Sequence, residues 1–209
     1  MLGRVKVLGD PASWDPPGEY AGTAIAVLAS IWSIGVRYQS VDRVLERYRA
    51  LRDGVDADTD TPSDLVAVIE RVGGPDAFAD AMQNRQRTST RNGILKAEAV
   101  LLAARHLREL GITAPLDLVA ATPDTLDAIR ARWVTVPGQR SGISFDAFLM
   151  VSGRPGVKAD RMIRRFVAAA LGRTVSAERA GALVREAAGR LEVDDRTLDY
   201  AIWRYESGA

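Results

Sequence analysis

Residues 131–166 read ARWVTVPGQRSGISFDAFLMVSGRPGVKADRMIRRF. The pattern is helix, tight turn, helix, glycine–proline loop, aspartate, helix. Val136-Pro137-Gly138 turns the chain sharply, because proline presets one turn dihedral and glycine accepts a conformation that side chains avoid. Gly142 falls near the start of the second helix, where unpaired backbone N–H groups can approach a phosphate closely. Asp160 stands beside the start of the third. Each feature has an ordinary alternative. The turn can simply join two helices, and Asp160 can simply cap the helix that begins at Arg161.

The same stretch is where the charge collects. The 209-residue chain has a formal net charge of only +1. Between Arg130 and Arg173 there are nine basic residues against Asp146 and Asp160, a local net charge of +7. A near-neutral protein with one strongly basic segment reads as a polyanion binder, or as an exposed basic helix face.

Outward from this stretch nearly every segment carries helical signals, and alternating strand patterns are scarce. Residues 3–7 allow a short extended piece, and residues 11–18, with three prolines, form a loop or arm. Residues 20 to about 34 are apolar almost all round, as expected of a buried helix. Helices are expected at about 41–52, from Thr61-Pro62-Ser63-Asp64 to Gly73-Gly74, at 75–82 and at 93–110. Further helices follow at about 123–133, 143–151, 161–171, 177–190 and 196–206. The polar, basic stretch at 84–92 links two of them, and it could insert into or lie along DNA. The expected fold is all-α: one helical unit over residues 1–209, open to division into two lobes.

The turn, loop and aspartate resemble the hairpin and following segment of the helix-hairpin-helix (HhH-GPD) DNA glycosylases of the endonuclease III-like group. Laid over this sequence without a gap, the family's Pro-Gly falls on Pro137-Gly138, its loop on Gly153-Arg154-Pro155 and its catalytic aspartate on Asp160. The family's arginine five residues beyond the aspartate is matched by Arg165. The clear resemblance covers about forty residues within a segment of about 124–172. Departures accompany it. Arg140 stands at the second hairpin glycine, and Gly142 stands where bifunctional members carry a lysine nucleophile. Where some members have a glutamine-containing stretch, this chain reads Ser30-Ile31-Trp32-Ser33.

The resemblance implies a monofunctional DNA glycosylase that flips a damaged or mismatched base and hydrolyses its N-glycosidic bond, without strand-cleaving lyase chemistry. Asp160 would be the catalytic carboxylate, stabilising the positive charge that builds on the sugar. Gly138, Gln139, Arg140, Ser141 and Gly142 would clamp the DNA backbone, with Arg161, Arg164 and Arg165 flanking it or pairing with acids such as Glu178. Trp14, Trp32, Tyr38 and Lys158 are candidates for a base pocket, although for Trp32, on its apolar helix, core packing is the stronger reading, and Trp133 and Trp203 are best read as core. The competing reading is a non-catalytic helix-hairpin-helix module that binds DNA structure or a protein partner. RNA is a weaker third reading.

Composition narrows the classes. With no cysteine, disulfides, zinc–thiolate sites and a cysteine-held iron–sulfur cluster are excluded, and the single histidine, His106, leaves no multi-histidine metal site. No cofactor and no metal are expected. No run is long and apolar enough to span a bilayer, and no apolar segment follows Met1 to Lys6, so a cytoplasmic protein is the expectation. The resemblance implies double-stranded DNA as its partner.

Overall fold

The computed structural model describes residues 1–36 and 39–208. It is all-helical, with twelve α-helices among the described residues and one isolated bridge in place of any strand. The chain divides into two compact units, Glu19–Gly153 and the paired termini Met1–Gly18 with Arg154–Ala209.

The unit of the paired termini contains α1 (Leu2–Val5), and it resumes after the inserted unit with α10 (Arg161–Leu171), α11 (Ala177–Leu191) and α12 (Asp195–Ser207). These three long helices pack pairwise. Each starts with a side-chain cap: Asp160, Ser176 and Asp194 accept hydrogen bonds from the first-turn amides. The core is Ile163, Phe166 and Val167 of α10 against Val184 and Ala188 of α11 and Leu198 and Ile202 of α12. Val5 joins it from the N-terminal segment. The extended piece expected at residues 3–7 is therefore corrected to α1 and a following 3-10 turn, Lys6–Leu8. Leu2 and Val5 lie three apart, which puts both on one helical face toward this core.

In the unit Glu19–Gly153, α2 (Thr23–Trp32) is buried along its whole length. Around it stand α3 (Gln39–Leu51), α4 (Pro62–Arg71), α5 (Pro75–Ala81) and α6 (Lys96–Glu109), followed by α7 (Pro115–Ala120), α8 (Pro123–Trp133) and α9 (Ile143–Val151). The expected Thr61 start is a complete capping box with Asp64. α2 begins inside its apolar run, because Tyr20 donates its N–H to the Val151 carbonyl and Gly22 sits against the backbone of Asp58 and Asp60. α7 has no counterpart in the sequence-based reading. Its signal is Pro115 in the first turn with Asp117, whose carboxylate accepts the amides of Thr113 and Ala114.

Residues 93–95 were expected inside α6 and belong instead to the preceding loop. Arg87 and Leu95 form the isolated antiparallel bridge, and the Arg87 guanidinium donates to the Gly93 carbonyl. The linker at 84–95 is thus a folded-back loop with Ser89, Thr90, Arg91 and Asn92 exposed at its tip. Lys96, at the base, is buried with its ammonium on the carbonyls of Trp32 and Ile34 and on Gln86 Oε1. A cation there satisfies the open carbonyls at the end of α2.

Candidate nucleic-acid interface

α8 and α9 are joined by the turn at residues 134–142. The Gln139 amide donates to the Val136 carbonyl at 2.9 Å, closing a four-residue turn with Pro137 second and Gly138 third. Gly138 has φ +88°, the signature of a type II turn, which a side chain at that position resists. A second turn follows, from the Gly142 amide to the Gln139 carbonyl at 3.0 Å, with Gly142 at φ +73° opening α9. The backbone amides of Gly138, Arg140 and Ser141 donate to nothing among the described residues, and all three residues are exposed. Two successive free amides, at Arg140 and Ser141, beside a helix N-terminus are an arrangement that suits an anion.

The turn is held from inside. The Trp133 indole N–H donates to Ser144 Oγ at 2.9 Å, and Ser144 donates in turn to Gln139 Oε1 at 2.5 Å. Trp133 also stacks on Phe148, with ring centroids 4.8 Å apart. Gln139 was expected in the phosphate clamp; its side chain is buried and its amide is already used, so it locks the turn rather than reaching outward. Arg140 and Ser141 remain outward.

Two neighbours of the turn were not legible in the sequence. The Thr88 side chain, from the 84–95 loop, lies so close to Gly138 that a Cβ there would approach it to 2.4 Å. The Arg130 guanidinium covers Gly142, where a Cβ would come within 2.3 Å of it. Arg130 also pairs with Asp146 at 2.8 Å and lies over the Phe145 ring. The space beside Gly142, where the resembled family's lysine would start, is taken by a different cation.

Asp160 lies in the other unit. It is half-buried, and its Oδ1 accepts the amides of Met162 at 2.7 Å and Ile163 at 3.2 Å, so it is the N-cap of α10. Its Oδ2 accepts no hydrogen bond among the described residues. The approach to it is tightly fixed: Val157 is buried, the Lys158 amide donates to Asp199 Oδ1 at 3.0 Å, and Ala159 packs near Gly181 of α11. Asp199, a buried carboxylate on α12, is a residue the sequence-based reading missed, since nothing in a helical run marks an acid as facing inward.

The basic segment is less naked than its composition implied. Arg132 reaches Glu109 at 3.8 Å, Arg164 donates to the Val175 carbonyl at 3.3 Å, and Arg165 is bound to Glu206 rather than to Glu178. Arg140 and Arg161 are exposed, with no acidic partner among the described residues. Arg140 belongs to one unit and Arg161 to the other.

Of the base-pocket candidates, Trp32 is fully buried against Phe78: it is core, as its apolar helix favoured, and it is not available to a base pocket. Tyr38 lies outside the described residues. Trp14 is half-buried, with its indole N–H on the Leu8 carbonyl at 3.0 Å. Lys158 is half-buried. Trp133 is core as expected, whereas Trp203 is half-buried and stacks on Tyr200. Two surface cavities occur in the unit of the paired termini, and Asp160 lines neither. No helix among the described residues is long and apolar enough to cross a membrane.

Over residues 4–207 the chain matches the model of a family described as a domain of unknown function (DUF8548). No curated protein and no solved structure matches it.

Proposed function

We propose that this chain, which belongs to the DUF8548 family, binds double-stranded DNA by its phosphate backbone through the α8–α9 turn, and that it is a monofunctional DNA glycosylase acting on a damaged or mismatched base. The observation that carries the binding is the set of three exposed, unpaired amides at Gly138, Arg140 and Ser141, beside the start of α9 and next to an unpaired arginine side chain. Such a turn contacts phosphate without reading sequence, as a repair protein that must scan duplex requires. The chemistry falls to Asp160. Its Oδ1 is fixed by the helix cap and its Oδ2 is left open, which suits a carboxylate that stabilises positive charge on a sugar and orients water. With glycine at position 142, no Schiff base forms by the resembled family's route, so the product would be an intact abasic strand.

A second reading has its own support. Asp160 already serves as a cap, Trp32 is sealed in the core, and neither cavity includes the aspartate. These facts favour a DNA-structure binder that lacks the chemistry.

Abasic-site formation across a panel of damaged and mismatched duplexes separates the two, with wild type compared with Asp160→Asn and binding measured alongside. Excision lost in the variant with affinity retained supports the glycosylase. Selective binding without excision supports the binder. Absence of DNA affinity at low salt removes both readings, and affinity unchanged in Arg140→Ala with the same salt slope removes that side chain from the interface.

A further inference from the structure

The unit formed by Met1–Gly18 and Arg154–Ala209 holds a cavity of about 300 Å³ between the N-terminal arm and the C-terminal half of α12. We propose that it is a binding site for a nucleoside monophosphate. Neither the turn residues nor Asp160 line it, and the proposal stands or falls independently of the function proposed above.

The walls are aromatic and held in place. Trp14 is fixed by its N–H bond to the Leu8 carbonyl at 3.0 Å. Tyr200 lies flat on Trp203, with centroids 5.8 Å apart and an interplanar angle of 7°, and Tyr205 meets Phe166 edge-on at 6.0 Å. Rings braced in this way lose little freedom when a planar ligand stacks on them. Two of the exposed large apolar residues among those described, Val7 and Tyr205, both line this one cavity, each 46% exposed. Apolar surface of that kind beside a concavity marks a place where something binds.

The polar groups narrow the ligand. Arg204 and Asp15 line the same cavity, are exposed, and have no ionic partner among the described residues. The hydroxyls of Tyr200 and Tyr205 likewise make no hydrogen bond among those residues. A guanidinium forks onto phosphate, and a carboxylate accepts N–H groups from the edge of a base. Aromatic walls, one free cation and one free acceptor together match a planar base with N–H donors joined to an anionic group. Guanine, with two adjacent N–H groups, suits a carboxylate best.

The shared chemistry comes either from a free nucleotide or from a nucleotide unit within a single strand. Titration of the full chain with GMP, AMP, CMP and UMP, followed by tryptophan fluorescence, is the test. Guanosine, inorganic phosphate and a short single-stranded oligonucleotide serve as further arms. Saturable quenching is expected, tightest for GMP, with Arg204→Ala weakening GMP at least fivefold and guanosine little. Asp15→Asn should level GMP toward UMP. Tighter binding of the mononucleotide identifies the free ligand, and tighter binding of the oligonucleotide identifies the strand. Both variants alter exposed residues, and circular dichroism checks that each remains folded. No saturable binding of any nucleotide, or GMP binding indifferent to Arg204→Ala, overturns the proposal.

Discussion

The carboxylate of Asp199 on α12 accepts a hydrogen bond at 3.0 Å from the backbone amide of Lys158, 41 positions earlier in the chain. Asp160 follows two residues later, and its own amide donates to the Lys158 carbonyl at 2.6 Å. One buried acid thus holds the loop that delivers a second, half-buried one.

Removing that acid should loosen the loop at residues 157–160. Asp199→Ala leaves a partly buried amide unpaired, and a loss of about 1 kcal/mol in unfolding stability is expected. Asp199→Asn keeps an acceptor oxygen and should lose less. Hydrogen exchange at the Lys158 amide checks the cause: it should accelerate in the alanine variant ahead of neighbouring helical amides. Unchanged protection there would mean that the loop is held by its other contacts.

Asp160 has two separable roles. Asparagine caps a helix about as well as aspartate, whereas alanine costs roughly 1 kcal/mol. Asp160→Asn should therefore unfold at nearly the wild-type denaturant midpoint and Asp160→Ala at a lower one. Any excision activity should be lost in both. An Asp160→Asn protein with full activity would leave the residue as a cap alone.

Gly138 and Thr88 should behave as a coupled pair. Gly138→Ala forces a side chain into a positive-φ position, at about 1–2 kcal/mol, and presses it onto Thr88. Thr88→Ala should relieve the second penalty and not the first. In a double-mutant cycle the combined loss should be smaller than the sum of the single losses. Strict additivity would show that the 84–95 loop does not bear on the turn.

Burial lowers the Lys96 ammonium from the usual 10.5 to about 8. Between pH 8 and about 10 the unfolded chain keeps a proton that the folded chain has released. Stability should therefore rise with pH across that window, by at most about 1.4 kcal/mol per unit. Tyr48, whose ionisation is pushed up by burial and by Asp60, acts in the opposite sense above pH 10. Chemical denaturation at pH 7.5, 8.5 and 9.5 measures the slope, and Lys96→Met should abolish it. A flat profile in wild type would mean that the three oxygens around Lys96 hold its proton despite the burial.

Much of the fold was legible because its signals are local. Threonine, proline and acid at Thr61 and at Thr122 start helices wherever the chain goes, since the bonds they form lie within one turn. The α9 and α10 boundaries followed the expected residues for the same reason: Gly142 and Asp160 act on their own neighbours. The turn at Pro137-Gly138 was equally readable, because its geometry is set by two adjacent dihedrals.

What the sequence by itself determined, then, was an all-helical chain with a sharp turn, a capping aspartate and the order of its main helices. The tertiary structure alone decided which side chains face inward. Gln139 and Asp199 are polar and turn into the interior, and Arg165 is held by Glu206. It also joined the two ends of the chain into one unit, with Glu19–Gly153, which lies between them in sequence, as the other. Composition could not show this, because a hydrogen bond between residues 41 apart, or a guanidinium resting on a glycine, depends on where distant helices pack. Local propensity carries no record of that packing.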